Sequence, residues 1–227
     1  MSAAMAPAVL LVSMRSAVRR AVLSALLGLL TMAACTADQS RDSSNGTPGR
    51  CEVDDGTAAA LEPLVTDKVP AGYERAPDAA EDTGPANLDL AASFVGDPNE
   101  RAVLSTLRYR RGYQRLWYPP DGGGNDLIVH LYEFCDVKGA AGYLHHTRDR
   151  LLSPRWGSVE VDAALPGPEV ALLQKGDSGG ESFVALLGVH GRFYVEVGAY
   201  GGPPGEELGA LYATAGALNA AQVAELP

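Results

Sequence analysis

The segment from Ser182 to Tyr200 constrains the fold of this chain more than any other. It reads SFVALLGV, then His190-Gly191, then RFYVEVGAY, so two runs rich in β-branched and aromatic residues are separated by only two residues. A two-residue connection that ends in glycine favours a tight hairpin, because glycine accepts the positive φ that such turns require. The segment therefore predicts two neighbouring antiparallel strands.

Other segments predict further strands and four helices. DLIVHLYEFC (126–135) carries apolar residues on both alternating faces, which is typical of a central strand. Additional strands are predicted at Tyr113–Tyr118 and within 157–164 and 168–175. Capping residues predict three of the helix starts. The predicted helices are 88–95 after Asn87, a helix after Asp97 that ends near Leu107, 137–151 after Asp136, and a final helix at 206–226.

This order of elements predicts an α+β fold. We expect a mostly antiparallel sheet with helices packed on one face, preceded by a disordered tether. Residues 51–227 are expected to form a single domain, with a helical first half at about 57–107 and a sheet-rich second half at about 112–227.

The amino-terminal segment has the organisation of an export signal. Arg15, Arg19 and Arg20 precede the apolar stretch Ala21–Leu30, and small residues lead to Cys35. The apolar stretch is shorter than the roughly 20 residues that a membrane-spanning helix needs. Residues 1–35 therefore predict a signal peptide and an extracytoplasmic location. The start codon (Met1, Met5 or Met14) and the export route (general or twin-arginine) stay open.

Met32-Ala33-Ala34-Cys35 resembles a bacterial lipobox, with Met where Leu is usual. The resemblance implies that Cys35 receives a diacylglyceryl group and becomes the first residue of a protein anchored to the cell membrane. Each buried acyl methylene contributes about 0.8 kcal/mol to such anchoring. The alternative is a cleaved signal with an unmodified Cys35. The polar segment 36–50 that follows predicts a disordered tether.

Signal, lipobox and tether together resemble the envelope lipoproteins of actinobacteria. Within the domain, the likeness extends to YEFCDVKGAAGYL (132–144) and the GRFYVEVGAY hairpin. The resemblance implies no catalytic residue and no cofactor.

The net charge of the mature part excludes one class of partner. All 28 Asp and Glu follow Cys35, whereas three of the 18 Lys and Arg precede it, so the mature part carries a net charge of −13. Nucleic acid is therefore not expected as a partner.

Cys51 and Cys135 predict a disulfide, since an oxidising compartment favours one. Two free thiols, or a metal pair without other ligands, are the alternatives.

GDSGG (176–180) matches the motif around the nucleophile of chymotrypsin-type proteases, but the context argues against that role for Ser178. The histidines before it lie only 32 to 48 residues upstream, too few for the fold that such enzymes need. We therefore interpret 176–180 as a turn and Gly122–Gly124 as a hairpin loop.

The four histidines are not expected to form a catalytic or metal site. His145 and His146 are expected on a solvated helix face, His130 in the core and His190 in a turn. No metal site is predicted.

LRYRRGYQRLWY (107–118) is a basic and aromatic segment in an otherwise acidic domain. Strand alternation would place Tyr113, Arg115 and Trp117 on one face. Arginine stacked on aromatic rings can bind an anionic or sugar ligand, so Arg111, Tyr113, Arg115 and Trp117 are candidate ligand-binding residues. Alternatively, these arginines pair with the surplus carboxylates.

These features predict a membrane-anchored, non-catalytic domain that binds a small molecule, a lipid, a glycan or an envelope protein. An accessory or sensory lipoprotein that acts through protein contacts is one alternative. A hydrolase of unrecognised type is the other.

Overall fold

A computed structural model of the chain describes residues 51, 55–68, 72–77, 83–119, 126–156, 158–161, 169–174, 182–202 and 208–227. All of them belong to one compact unit, Thr47–Pro227. The predicted signal peptide, Cys35, the tether, the glycines at 122–124 and Ser178 lie outside the described residues.

An antiparallel sheet of eight strands forms the centre of the described domain, in the order β1-β3-β4-β8-β7-β6-β5, with β2 also paired to β3. The strands are β1 (Glu74–Arg75), β2 (Gly84–Ala86), β3 (Tyr109–Tyr118), β4 (Asp126–Phe134), β5 (Val159–Val161), β6 (Val170–Gln174), β7 (Ser182–His190) and β8 (Phe193–Gly202).

The predicted hairpin is present as β7 and β8, with its turn displaced by one residue. His190 pairs with Phe193, so the two turn residues are Gly191 and Arg192. Gly191 has a φ of 56°. Glycine at the first turn position supplies this positive φ without steric cost, as a tight hairpin requires.

A 3-10 helix and four α-helices accompany the sheet. They are the 3-10 helix Asp55–Leu64, α1 (Leu88–Val95), α2 (Glu100–Thr106), α3 (Val137–Leu151) and α4 (Leu208–Val223). The predicted caps of α1 and α3 are confirmed: Asn87 Oδ1 accepts a hydrogen bond from Leu90 N (2.8 Å), and Asp136 Oδ1 accepts one from Gly139 N (3.0 Å). None of the helices in these parts of the chain is long and apolar enough to cross a membrane.

The predicted α+β class and antiparallel sheet are confirmed, but the helices cover both faces of the sheet rather than one. Phe183, Ala185 and Leu187 of β7 pack in one apolar cluster with α1 and α3. The alternating residues Val184 and Leu186 pack in a second cluster with the 3-10 helix and α4. Because the central strands are apolar on both faces, each face needs a helical layer to exclude water.

The predicted disulfide is confirmed between Cys51 and Cys135, whose Cα atoms are 5.6 Å apart. It joins the first described residue of the domain to the residue that follows β4. The two cysteines are separated by 84 residues in sequence. A cross-link over a loop of this length removes much of the conformational entropy of the unfolded chain, which corresponds to about 4–5 kcal/mol in the chain-entropy description.

Replacing both cysteines, as C51S/C135S, should therefore lower the free energy of unfolding by about 4 kcal/mol. Urea titration of the oxidised protein and of the variant measures the difference. Dithiothreitol should destabilise the native protein by a similar amount and leave the variant unchanged. Equal stability of the two proteins under oxidising conditions would contradict the role of the bridge.

Candidate functional site

The predicted arginine–aromatic residues lie beneath the 3-10 helix instead of forming an open surface. Tyr113, Arg115 and Trp117 do share one face of β3, but each is at most 3% exposed. The guanidinium of Arg115 donates to Val65 O (2.7 Å) and to Asp67 Oδ1 (2.6 Å). Its charge is therefore used to hold the chain that follows the 3-10 helix against the sheet.

Arg111 forms hydrogen bonds with a buried carboxylate and with the 3-10 helix. Its Nε donates to the carboxylate of Glu133, which is fully buried, and its Nη1 donates to Thr57 Oγ1 (2.6 Å). Arg110 and Arg192 reach the same carboxylate, at 2.9 and 2.8 Å. Three arginines thus surround one buried negative charge, an arrangement that offsets the cost of burying it.

A surface cavity of about 400 Å³ adjoins Arg115 and is lined by Glu62, Pro63, Val65, Thr66, Asp67, Lys68, Arg115 and Glu225. Its charged groups are already paired, for example Lys68 Nζ with Glu225 Oε1 (3.1 Å). These contacts fit the alternative in which the arginines pair with carboxylates. Ligand binding by Arg111, Tyr113, Arg115 and Trp117 stays a prediction.

The geometry around Arg115 predicts a large loss of stability on its removal. R115A should lower the free energy of unfolding by about 3 kcal/mol, because buried carbonyl oxygens lose their donor. R101A, which removes an exposed pair with Asp89, is the matched control and should cost less than about 1 kcal/mol. Urea titration of both variants measures this. A native-like R115A would show that the buried contacts of Arg115 are dispensable.

The opposite face of the sheet carries a second polar group of residues, centred on Glu196 of β8. One carboxylate oxygen accepts from Tyr194 Oη (2.8 Å) and the other from Tyr200 Oη (2.8 Å). His130, paired with Glu196 across the strands, places Nδ1 3.7 Å from this carboxylate. Glu196 is 7% exposed. A buried carboxylate is thus held by two hydroxyl donors and a neighbouring imidazole.

These surroundings fix the protonation states. Burial alone would raise the pKa of Glu196, but the contact with His130 and the charge of Arg150 lower it to about 2. Burial and the charge of Glu196 raise the pKa of Tyr194 and Tyr200 well above their usual value. At neutral pH the carboxylate is therefore charged, and both tyrosines are neutral donors.

A second buried carboxylate extends this group toward α3. Glu100 is fully buried and accepts from Tyr143 Oη (2.7 Å), and His146 Nε2 lies 2.9 Å from its other oxygen. The ring of Tyr143 packs edge-on against Tyr194, with centroids 4.8 Å apart. His146 thus differs from the solvated position expected for it, since it contacts Glu100. His145 is exposed as predicted.

Three buried polar atoms on the same face of the sheet as Glu196 have no hydrogen-bond partner among the described residues: Gln114 Oε1, His130 Nε2 and Arg150 Nε. The Thr147 hydroxyl, by contrast, hydrogen-bonds to Tyr194. Gln114 and Thr147 are at most 1% exposed. Buried polar groups are normally paired, and each unpaired one costs about 1–3 kcal/mol. Gln114, His130, Thr147, Arg150 and Glu196 are called the polar cluster below.

Half-buried aromatic side chains lie around the polar cluster. Phe94 packs on His130, with ring centroids 5.9 Å apart, and His130 stacks on Tyr132 at 5.8 Å. On the other side of Glu196, Tyr200 stacks on Phe183 at 5.5 Å, and Phe183 meets Trp156 at 6.3 Å. Rings therefore pack against His130, and a second run of rings extends from Tyr200 to Trp156.

The residues that the structure describes hold no group of three or more His, Cys, Asp or Glu side chains that could bind a metal ion. Among the described side chains, neither His130 nor His146 has a further residue of these types placed to share a metal ion with its carboxylate partner. Cys51 and Cys135 are joined in the disulfide.

Most of the polar cluster is not recognisable from the sequence. Glu196 gives the clearest signal, since it interrupts the apolar run of RFYVEVGAY. Thr147 lies on the predicted apolar side of α3 and Arg150 lies one turn later. Their approach to Glu196 depends on how α3 crosses the sheet, which local patterns do not specify.

The pKa of Glu196 predicts how acid affects stability. A carboxyl group whose pKa is depressed by folding stabilises the native state above its unfolded value of about 4.5, and this stabilisation is lost as the pH falls toward 2. E196Q should cost about 1–3 kcal/mol at pH 7, because one tyrosine then faces an amide donor. It should also flatten the loss of stability between pH 4.5 and 2.

Urea titrations across this pH range measure both effects. E160Q removes an exposed carboxylate that pairs with Arg148 and serves as the control for the loss of one negative charge. If E196Q kept the steep acid limb of the native protein, the depressed pKa would be refuted.

Comparison with known proteins gives a distant structural likeness. No family model and no curated protein matches the chain. Among solved structures, the chain is similar to the extracellular domain of PknH from Mycobacterium tuberculosis, with 11% sequence identity and a TM-score of 0.39, over 74% of this chain and 98% of that one. At this TM-score the likeness carries no argument about fold or function.

Proposed function

We propose that the chain is a lipid-anchored extracytoplasmic protein whose domain binds a small polar molecule without catalysing a reaction. The anchor is proposed from the lipobox-like segment that ends at Cys35. The Cys51–Cys135 disulfide supports an oxidising location, because disulfides persist mainly outside the reducing cytoplasm.

The binding site is proposed at the polar cluster, and the three unpaired atoms on Gln114, His130 and Arg150 carry this assignment. Unpaired buried donors and acceptors that lie together are costly for folding alone, and a ligand that pairs with them recovers that cost on binding. The cavity beside Arg115 is a weaker candidate, because its charged groups are already paired within the protein.

Binding is favoured over catalysis by the fixed protonation of the cluster. A general acid or base works best when its pKa lies near the operating pH. Glu196, with a pKa of about 2, stays ionised at neutral pH, and the tyrosines, with raised pKa values, keep their protons. Such groups serve as stable donors and charges for recognition.

Full-length protein isolated from membranes, beside the C35S variant, tests both parts of the proposal. Intact mass spectrometry should show acyl chains on the native protein and none on C35S, which should appear in the soluble fraction. Addition of small molecules extracted from the envelope of the same cells should raise the thermal midpoint of both proteins, since ligands stabilise the state that they bind.

The two readouts fail separately. An unacylated native protein would reject the anchor and leave the binding site standing. A midpoint that the extract does not change would reject the binding site and leave the anchor standing.

A further inference from the structure

We infer that one end of the sheet docks on anionic lipid headgroups and so faces the membrane. This surface surrounds the disulfide and is called the basic end below; its basic side chains are Arg108, Arg110, Arg111, Lys138 and Arg192. The inference rests on the proposed function, because it needs the acyl anchor at Cys35 and then names the surface that the anchored domain turns toward the lipids.

Short contacts gather the basic end at the point where β4 ends and β3 begins. Three of its arginines reach the buried carboxylate of Glu133, from β3 and from the turn between β7 and β8. Arg108, directly before β3, accepts a backbone hydrogen bond at its carbonyl oxygen from Cys135 N (3.1 Å). Lys138 lies three residues after Cys135, in the first turn of α3. The five cations therefore share one corner of the domain with the disulfide.

The basic end presents positive charge to solvent. The side chains of Arg108 and Arg192 are 58% and 49% exposed, and Lys138 is exposed as well. Two carboxylates lie among them: Glu133, which is fully buried, and Asp136, which is 3.3 Å from Arg108. Five positive side chains against two negative ones give a net charge of +3 for the described part of this end.

The rest of the protein carries the opposite charge. Three further carboxylates follow Cys51 in the sequence, at Glu52, Asp54 and Asp55; counted in full, they bring the basic end to zero. The mature part has a net charge of −13, so all of this charge belongs to the remainder. Anionic headgroups repel such a remainder and attract Lys and Arg near the surface. An anionic membrane therefore orients the domain with the basic end toward it.

The proposed anchor joins the domain at this same end. Fifteen residues, 36–50, separate Cys35 from Cys51, and the disulfide fixes Cys51 to Cys135 within the basic end. A flexible chain of this length has an r.m.s. end-to-end distance of about 20 Å. The predicted tether therefore keeps the basic end near the headgroups at a high effective concentration, so weak electrostatic contacts suffice for docking.

The backbone of Arg108 supports a functional reason for its charge. Among the described residues, it is the non-glycine residue with a positive φ, 61°. It follows the C-cap of α2, a position where glycine commonly adopts this left-handed conformation because it has no Cβ. Arginine is less favourable than glycine there, yet it places an exposed cation beside Cys135. The chain thus has a positive charge where local conformation favours glycine.

Nuclear magnetic resonance on the acylated full-length protein in lipid nanodiscs tests the inference. The discs contain phosphatidylcholine, with or without one third phosphatidylglycerol, and a trace of lipid that carries gadolinium on its headgroup. With phosphatidylglycerol, the amides of Lys138 and Gly191 should relax at least about twofold faster than the amide of Tyr118, which lies at the far end of β3, about 30 Å from Tyr109. About 0.5 M salt should remove this difference, because it screens the headgroup charge.

Variants of the basic end assign the orientation to charge. R108Q/K138Q/R192Q removes three exposed cations and should abolish the difference. K138E reverses one charge at an exposed position without altering the arginines, so it should fold and should reduce the difference by itself. R108K/R192K keeps both charges but loses the guanidinium geometry, and it should leave the difference intact.

The matched control removes the same amount of charge from other parts of the domain. K68Q/R75Q/R148Q replaces three cations, each of which pairs with a carboxylate as Arg108 and Arg192 do. Its net charge equals that of R108Q/K138Q/R192Q. The difference in relaxation should nevertheless persist, because the basic end is unchanged.

Other results overturn the inference in distinguishable ways. Protein recovered outside the nanodiscs would reject the anchor, and the docking surface would fall with it. Protein recovered in the nanodiscs with equal relaxation at both ends of β3 would reject the docking surface alone. A difference that persists without phosphatidylglycerol, or in both R108Q/K138Q/R192Q and K138E, would assign the orientation to the tether rather than to charge.

Discussion

The two-sided apolar character of the central strands is the constraint on which the rest of the structure depends. Strands β4, β7 and β8 bury large side chains on both faces, so neither face can be left to water. Burial at about 25 cal/mol per Å² of apolar surface makes this the main stabilising contribution. The 3-10 helix and α4 cover one face, and α1, α2 and α3 cover the other. Each buried polar group therefore lies under one of two helical layers.

The two layers satisfy their charges differently. On the face of the 3-10 helix, Arg115 meets carbonyl groups and carboxylates directly, and at the end of β4 three arginines enclose Glu133. These contacts fasten loops and strands to one another. On the face of α3, Glu196 is paired with neutral tyrosines, and nearby donors and acceptors are left over. The second arrangement has unused hydrogen-bonding capacity, which is why recognition is proposed there.

Local chemistry in the sequence predicts much of the fold and little of the site. Asn87 and Asp136 cap helices as their patterns indicate, and the hairpin forms within one residue of the predicted turn. The cysteine pairing follows from there being two cysteines in the domain. The second helical layer was not predicted, because alternation within a strand shows that both faces are apolar without showing what covers them. Arg115 illustrates the same limit: its partner Asp67 lies 48 residues away in sequence.

The position of the disulfide has a mechanical consequence. Cys51 is covalently joined to the residue that follows β4, and β4 lies between β3 and β8 near the middle of the sheet. Force that reaches the domain from residues before Cys51 therefore crosses the bridge to Cys135 and by-passes residues 52–134, a range that includes β4. The 3-10 helix, α1, α2 and strands β1 to β4 lie within this closed covalent loop, and tension along the chain continues from Cys135 into α3.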